Sequence, residues 1–318
     1  MKKVLAALPN YSKFCGEAKK YLQENGCVVI ENETGGPLSF DLLKDFVGDI
    51  DAVIAGVEEW NAPVFNLAPN LKVIARFGVG VDNLDLIEAK KRGITVTNCP
   101  GLNAVSVAEH AIMLMLNLLR KCPQLNEDTH KGNWRRLMVT ELKDKTVGLL
   151  GFGAVAKNVA VRLNAFGCNV IAYDKFPNEE AAAALGVKMC SIEEVLSTSD
   201  ILSVHVPAMP ETYHLICSET IAQCKDGVYL VNTSRGTNVD EKAVYQALKS
   251  GKITGFGSDV FEFEPVTKDY ELFDCKNYIC TPHTAAESYE NYYNTGMKTA
   301  EAILAVLNGT GEPWNRLV

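Results

Sequence analysis

The sequence predicts an α/β protein of two doubly wound parallel-sheet domains, one inserted into the other. Three observations carry that prediction. Short β-branched runs alternate with helical patterns along the chain, the signature of parallel sheets joined by crossover helices. The runs fall into two sets, one ending near Thr97 and one spanning residues 147 to 281. A long amphipathic stretch follows the last run and has no sheet of its own. At 318 residues, the chain is long enough for about two domains, each with a core.

In chain order, the first set reads "KVLAA", "CVVI", "AVIA", "KVIA" and "ITVT", five strands. Between them lie helical stretches such as "EAKKYLQENG", closed by Gly26, and "NLDLIEAKKRG", closed by Gly93. Glycine just past the last periodic residue is a helix stop. A long apolar helix, "VSVAEHAIMLMLNLLR", leads into the second set. That set reads "VGLL", "VIAY", "ILSVHV", "VYLVN", "ITGFG" and "YICT", the six strands a dinucleotide-binding sheet needs. The final helix, "ESYENYYNTGMKTAEAILAVLNG", is expected to return to the first domain. The boundaries are then 1–99 plus 286–318 for one domain and 100–285 for the other. A chain that crosses twice between domains usually binds its ligand in the cleft there.

Composition excludes several classes. Asp and Glu number 39 against 31 Lys and Arg, a net charge of −8 that argues against nucleic acid or an anionic membrane as partner. Ten cysteines lie without C-x-x-C pairs or zinc spacing, which predicts reduced thiols, no metal site and a cytoplasmic location. The start, "MKKVLAALPN", is too short for a signal-peptide core and reads as a first strand. The apolar stretch "AIMLMLNLL" is far shorter than a membrane span.

The second set opens with "VGLLGFGAVAKNVA". In a dinucleotide-binding turn, Gly151 makes the bend and Gly153 lets backbone N–H groups approach a pyrophosphate. Ala156 replaces the third glycine, adding one methyl at a packing position. Apolar residues at Val155, Val159, Leu163 and Phe166 give the following helix one buried stripe before Gly167 stops it. Asp174 follows Gly151 by about 20 residues, at the tip of the next strand, where an acid accepts hydrogen bonds from ribose hydroxyls. Such an acid repels the 2′-phosphate of NADP and favours NAD. Strand, turn, helix, strand and acid in register read as a dinucleotide site, with the pyrophosphate at the helix N-terminus.

Three further strand ends carry reactive groups. "VNTSRGTNVD" puts Arg235 after the fourth strand, and an arginine fork holds a carboxylate with two parallel hydrogen bonds. "SDVFEFEP" places Asp259 and Glu264 after the fifth strand, and "TPHTAAES" places His283 after the sixth. In open α/β sheets, ligands bind at that rim. A carboxylate beside a histidine favours the charged imidazole, which suits it to exchange protons near neutral pH.

With these in place, the ordered stretches "RFGVGVDNLDL", "VSVAEH", "ELKDKTVGLLGFGAVA", "AYD", "HVPAMPETYHLI", "VNTSRG", "DVFEFEP" and "TPH" resemble the D-isomer-specific 2-hydroxyacid dehydrogenases from about residue 50 to 300. Within them, the sequence is most similar to the short phosphoglycerate-dehydrogenase-like branch. The resemblance implies a Rossmann NAD-binding domain inserted into a flavodoxin-like substrate domain, a homodimer through the NAD-binding domain, and a small 2-hydroxy or 2-oxo acid as substrate. It implies a catalytic trio of Arg235, Glu264 and His283. His283 exchanges the hydroxyl proton, Glu264 orients it, and Arg235 grips the carboxylate together with the Gly78-Val79-Gly80 loop. Arg76 precedes that loop and is expected to serve it. Val79, Gly151, Gly153, Ala154, Val155, Asp174, Val206, Pro207, Thr212, Thr233 and Asp259 are expected to line the NAD site. His205, Tyr213 and His214 are expected to be structural.

Departures bear on the substrate. Phosphoglycerate dehydrogenases similar to this chain carry an arginine where it has "AGVEEWNA", and Glu58 and Glu59 there are expected to repel a phosphate. Arg135 and Arg136, in the arm "KGNWRRLMVTEL", are candidates to offset them from a neighbouring subunit. No C-terminal regulatory domain is expected after "EPWNRLV". Glu264 argues against formate dehydrogenase chemistry, and the absence of a lysine in the Val79 loop argues against phosphite. The expected substrates are 3-phosphohydroxypyruvate, hydroxypyruvate and glyoxylate. Two alternatives belong to other classes. An NADH-sensing corepressor shares the fold and trio but tends to bring a peptide groove and extra tails, which are not expected here. A methyltransferase leaves Arg235, Glu264 and His283 unexplained.

Overall fold

Residues 1–318 are all described by a computed structural model, in which the chain forms two units, 1–103 with 287–318, and 104–286. The first crossing lies at the end of a turn over 100–103, where the helix Ala104–Arg120 begins, four residues beyond the boundary drawn from sequence.

In the first unit, five parallel strands, β1 (Lys2–Pro9), β2 (Cys27–Asn32), β3 (Ala52–Ala55), β4 (Val73–Arg76) and β5 (Thr95–Thr97), stand in the order β2-β1-β3-β4-β5. This is the flavodoxin-like order, with its switch point between β1 and β3. Alternate residues of β1 enter different cores: Leu5 and Ala7 join Val53, Val64 and Ile74 on one face, and Val4 and Ala6 join Tyr11, Leu22 and Ile54 on the other. Burial on both faces is why the strand reads as an unbroken apolar run. The final helix, Tyr289–Asn308, begins at Ser288, whose side chain accepts from Asn291 N, and ends at Gly309 in the left-handed region. Its Ala300, Ile303 and Leu304 join the second of these cores, so the helix does return to the first sheet.

In the second unit, seven parallel strands follow: β6 (Thr146–Leu150), β7 (Asn169–Tyr173), β8 (Lys188–Met189), β9 (Ile201–Val204), β10 (Val228–Asn232), β11 (Ile253–Ser258) and β12 (Tyr278–Cys280). Their order, β12-β11-β10-β9-β6-β7-β8, is the doubly wound dinucleotide-binding arrangement with its switch point between β6 and β9. The six strands expected from sequence are present. The extra one, β8, is two residues long, pairs only with β7 at the sheet edge, and is too short to show a period. Glycines in β11 let the helix Ala104–Arg120 lie against the sheet. A Cβ on Gly255 would come within 3.0 Å of Leu118, and one on Gly257 within 3.2 Å of Leu114. The helix Ala154–Ala165 buries Ala156, Val159, Ala160 and Leu163. Val155 is only half-buried and Phe166 is exposed beyond the helix end, so the true stripe runs through small residues at 156 and 160. No helix is long and apolar enough to cross a membrane.

Candidate active site

The carboxyl ends of β6, β7, β9, β10, β11 and β12 carry the functional residues of the second unit. After β6, Gly151 takes φ 98°, and a Cβ there would stand 2.9 Å from the His205 carbonyl carbon. Only glycine suits both constraints. Gly153 caps the helix Ala154–Ala165 with no side-chain hydrogen bond and with open space where a Cβ would be. The first-turn N–H groups, Ala154 and Val155 among them, therefore have no capping side chain, which leaves an anion-binding terminus. Ala156 is fully buried, its methyl part of the core. Asp174 stands just past β7 and accepts from Phe152 N at 2.7 Å and Phe176 N at 2.8 Å, which ties it to the glycine turn. A carboxylate accepts about four hydrogen bonds, so capacity remains for ribose hydroxyls.

Buried polar atoms without partners mark the same rim. Thr233 Oγ1 and both ring nitrogens of His205 have none. Since Ser203 pairs in register with Val231, these two residues extend neighbouring strands. Desolvation pushes the His205 imidazole down to about 4, so it is neutral. Leaving such atoms unpaired costs about 1–3 kcal/mol each, a debt that a polar ligand or water relieves. An uncapped helix N-terminus, a tethered acid and orphaned polar atoms fit a dinucleotide with a pyrophosphate bridge. Val206, Pro207 and Thr212 form the loop after β9. There the Thr212 hydroxyl donates to Pro207 O at 2.6 Å and accepts from Met209 N at 2.9 Å, and the Val206 carbonyl accepts from Asn238 Nδ2 at 3.0 Å. The Thr212 hydroxyl is thus spent on the loop itself. His214 pairs with Glu262 at 3.0 Å, and the Tyr213 ring stacks on it.

The trio comes together as follows. His283 Nδ1 lies 2.7 Å from Glu264 Oε2, and the other carboxylate oxygen accepts from Phe261 N at 2.9 Å. A carboxylate only accepts, so Nδ1 carries a proton, and in the neutral ring Nε2 is left with a lone pair. Partial burial pushes the Glu264 carboxyl up, but hydrogen bonds from His283 and Phe261, with the positive charge of Arg235, outweigh it and hold the group below its ordinary value. Arg235 sits on the turn after β10, half-buried, its guanidinium donating to Ser234 O at 2.8 Å. Buried Asn232 shapes that turn, donating to Arg235 O and accepting from Ser234 N and Oγ. A Cβ on Gly236 would come within 1.9 Å of Phe261 backbone atoms, so the Arg235 turn packs directly on the segment leading to Glu264. Gly236 reads in the sequence as a sharp turn after Arg235, but its close approach to Phe261 and the Asx turn of Asn232 show only once the strands are placed.

His283 has φ 55°, unusual for a residue with a side chain. Asp259 holds it there. Its carbonyl accepts from His283 N at 2.8 Å, and its carboxylate, 1% exposed, accepts from Thr281 Oγ1 at 2.6 Å, Thr284 N at 2.9 Å and Ala285 N at 2.8 Å. In this structure, the acid expected along the cofactor site is the buried anchor of the histidine loop.

In the first unit, Gly78 takes φ 146° and the Val79 carbonyl accepts from Asn98 Nδ2 at 2.7 Å. Arg76 donates to Phe77 O at 2.6 Å and Gly80 O at 2.9 Å, so it braces its own loop. Glu58 overturns one expectation: it is 5% exposed and accepts from Gly56 N at 2.8 Å and Trp60 Nε1 at 3.0 Å, so it is spent inside the fold rather than presented to a phosphate. Glu59 is exposed and accepts from Asn61. In the second unit, Arg135 pairs with Asp128 of its own chain at 2.8 Å. No group of three or more potential metal ligands is present.

Comparison with known proteins bears on the same residues. The sequence profile described as D-isomer specific 2-hydroxyacid dehydrogenase, NAD binding domain, matches residues 112–285. A D-3-phosphoglycerate dehydrogenase of Archaeoglobus fulgidus is 42% identical over 96% of this chain, which spans 58% of that longer protein. A glyoxylate reductase of Korarchaeum cryptofilum is 36% identical over 87% of this chain and 86% of its own length. A crystal structure of D-lactate dehydrogenase from Aquifex aeolicus, complexed with NAD and lactic acid, superposes with TM-score 0.86 at 28% identity, covering 100% of this chain and 99% of that one. Chain order, glycine turn and profile agree: this protein belongs to the D-isomer specific 2-hydroxyacid dehydrogenases, and its second unit is their NAD-binding domain.

Proposed function

We propose that this protein is an NAD-dependent oxidoreductase that interconverts small D-2-hydroxy acids and 2-oxo acids. The observation that carries the reading is the 2.7 Å bond from His283 Nδ1 to Glu264, which leaves Nε2 free. Gly151, Gly153, Ala154, Val155 and Asp174 would hold NAD, which would supply the hydride acceptor or, reduced, the hydride donor for C2. His283 Nε2 takes the hydroxyl proton in oxidation and returns it in reduction. Glu264 keeps the imidazole in the required tautomer and stabilises it when charged. Arg235 binds the substrate carboxylate, and the Gly78–Gly80 loop keeps the carboxylate-binding role that the resemblance implies.

Hydroxypyruvate and glyoxylate lead as substrates. The relatives act, by name, on phosphoglycerate, glyoxylate and lactate. Here the loop after β3, "GVEEWN", carries no cation, and Arg135 is already paired with Asp128. We therefore place 3-phosphohydroxypyruvate third. The test is NADH consumption against a panel of glyoxylate, hydroxypyruvate, 3-phosphohydroxypyruvate, pyruvate and larger 2-oxo acids. Turnover with the first two, at higher kcat/KM than the phosphorylated acid, is expected. Preference for a branched or aromatic acid contradicts the small-substrate reading, and NADH binding without any turnover favours the corepressor-like alternative.

A further inference from the structure

The histidine loop has a second support, from a helix remote in sequence. His110 lies in the helix Ala104–Arg120, 15% exposed at its side chain, with Nε2 2.7 Å from Thr281 Oγ1 and 3.5 Å from Asp259 Oδ1. Thr281 Oγ1 in turn lies 2.6 Å from Asp259 Oδ1.

The direction of these bonds is fixed by proton counting. A hydroxyl has one proton to give. Asp259 already accepts backbone N–H groups from Thr284 and Ala285, so it is the acceptor, and the Thr281 proton points to it. The Thr281 oxygen must then accept from His110, which places the proton of a neutral His110 on Nε2. Burial pushes the His110 imidazole down, against the opposing pull of Asp259, consistent with a neutral ring. The result is a one-way relay, His110 to Thr281 to Asp259. It ends on the residue that grips the backbone of 283, 284 and 285.

We propose that His110 is a positioning residue: through Thr281 it sets the orientation of Asp259, and so holds His283 in its left-handed conformation facing Glu264. Without the His110 donor, the Thr281 oxygen loses the partner that fixes it from the side opposite Asp259. Asp259 Oδ1 is then held less firmly by Thr281, at the base of the turn in which His283 takes its φ of 55°. This inference rests on the acid–base role proposed for His283.

The test uses His110→Ala, His110→Gln, Thr281→Val and the double variant His110→Ala/Thr281→Val. Glutamine restores an N–H donor at about the reach of Nε2. We expect His110→Ala and Thr281→Val each to lower kcat about 10- to 100-fold, the scale of a misplaced catalytic group, with KM for the 2-oxo acid and NADH affinity within about twofold. His110→Gln should recover most of the loss. The double variant should lose no more than the worse single one, since both break one relay. A second readout is independent of turnover. In cofactor-free protein, the His283 ring resonance, identified by its disappearance in His283→Asn, should shift in His110→Ala and return in His110→Gln. An unmoved His283 resonance, unchanged kcat in His110→Ala, or additive losses in the double variant would overturn the inference. Those results differ from failure of the functional reading, in which wild-type protein turns over no 2-oxo acid or His283→Asn retains activity.

Discussion

At residue scale, the trio is arranged by hydrogen bonds that hold one ring nitrogen of His283 and leave the other open. His283 spends Nδ1 on Glu264 and keeps Nε2. Arg235→Gln removes a charged hydrogen bond worth about 1.5–3 kcal/mol, so KM for the 2-oxo acid should rise with a loss of about 10- to 150-fold in kcat/KM. Loss of kcat at unchanged KM would contradict a carboxylate grip. Glu264 has a depressed native value, so its contribution to stability is complete above the ordinary carboxylate range and lost as pH falls through the native value. The difference in urea midpoint between wild type and Glu264→Gln should therefore hold across neutral pH and close only below about pH 4.3. A difference that closes above about pH 6 would assign the effect to another group. The types and strand-end positions of the trio were readable in the sequence. Their supports were not: Asn232 and Asp259 act through turn geometry, and Glu58 is indistinguishable from a surface acid until Trp60 and Gly56 are seen to enclose it.

At the scale of elements, two glycines separate packing from binding. Gly236→Ala would drive a methyl into the Phe261 backbone and should destabilise the protein by about 1–3 kcal/mol or more, with loss of turnover as the Arg235 and Glu264 segments part. Gly153→Ala meets open space, so the urea midpoint should barely move while NADH affinity falls, because the methyl stands where the pyrophosphate approaches. A stable Gly153→Ala with full NADH affinity would move the pyrophosphate elsewhere. Asp174→Ala should weaken NAD binding and narrow the preference over NADP, read from kcat/KM with each cofactor. Strands were legible because both faces are buried, which makes β1 and β6 continuous apolar runs. The two-residue β8 carries no such signal, and the helix after the glycine turn buries alanines, which hydrophobic periodicity undercounts.

At the scale of the whole molecule, the arm after the helix Cys122–His130 leaves Trp134 85% and Met138 91% exposed. Two large apolar side chains exposed together on one short arm suit burial against a second copy. We propose a homodimer, with light scattering of wild-type protein expected at twice the chain mass and Trp134→Ser/Met138→Ser shifted toward the monomer; a wild-type monomer would contradict it. The fold class followed from the alternation of runs, but pairing across copies leaves no trace in the periodicity of one chain. The central claim, exchange of the proton on the C2 hydroxyl oxygen by His283, is tested most directly by comparing wild type and His283→Asn on the best 2-oxo acid while following NADH. The account predicts that His283→Asn binds NADH as wild type does and loses about 10²- to 10⁴-fold in kcat; near-normal turnover in that variant would contradict it.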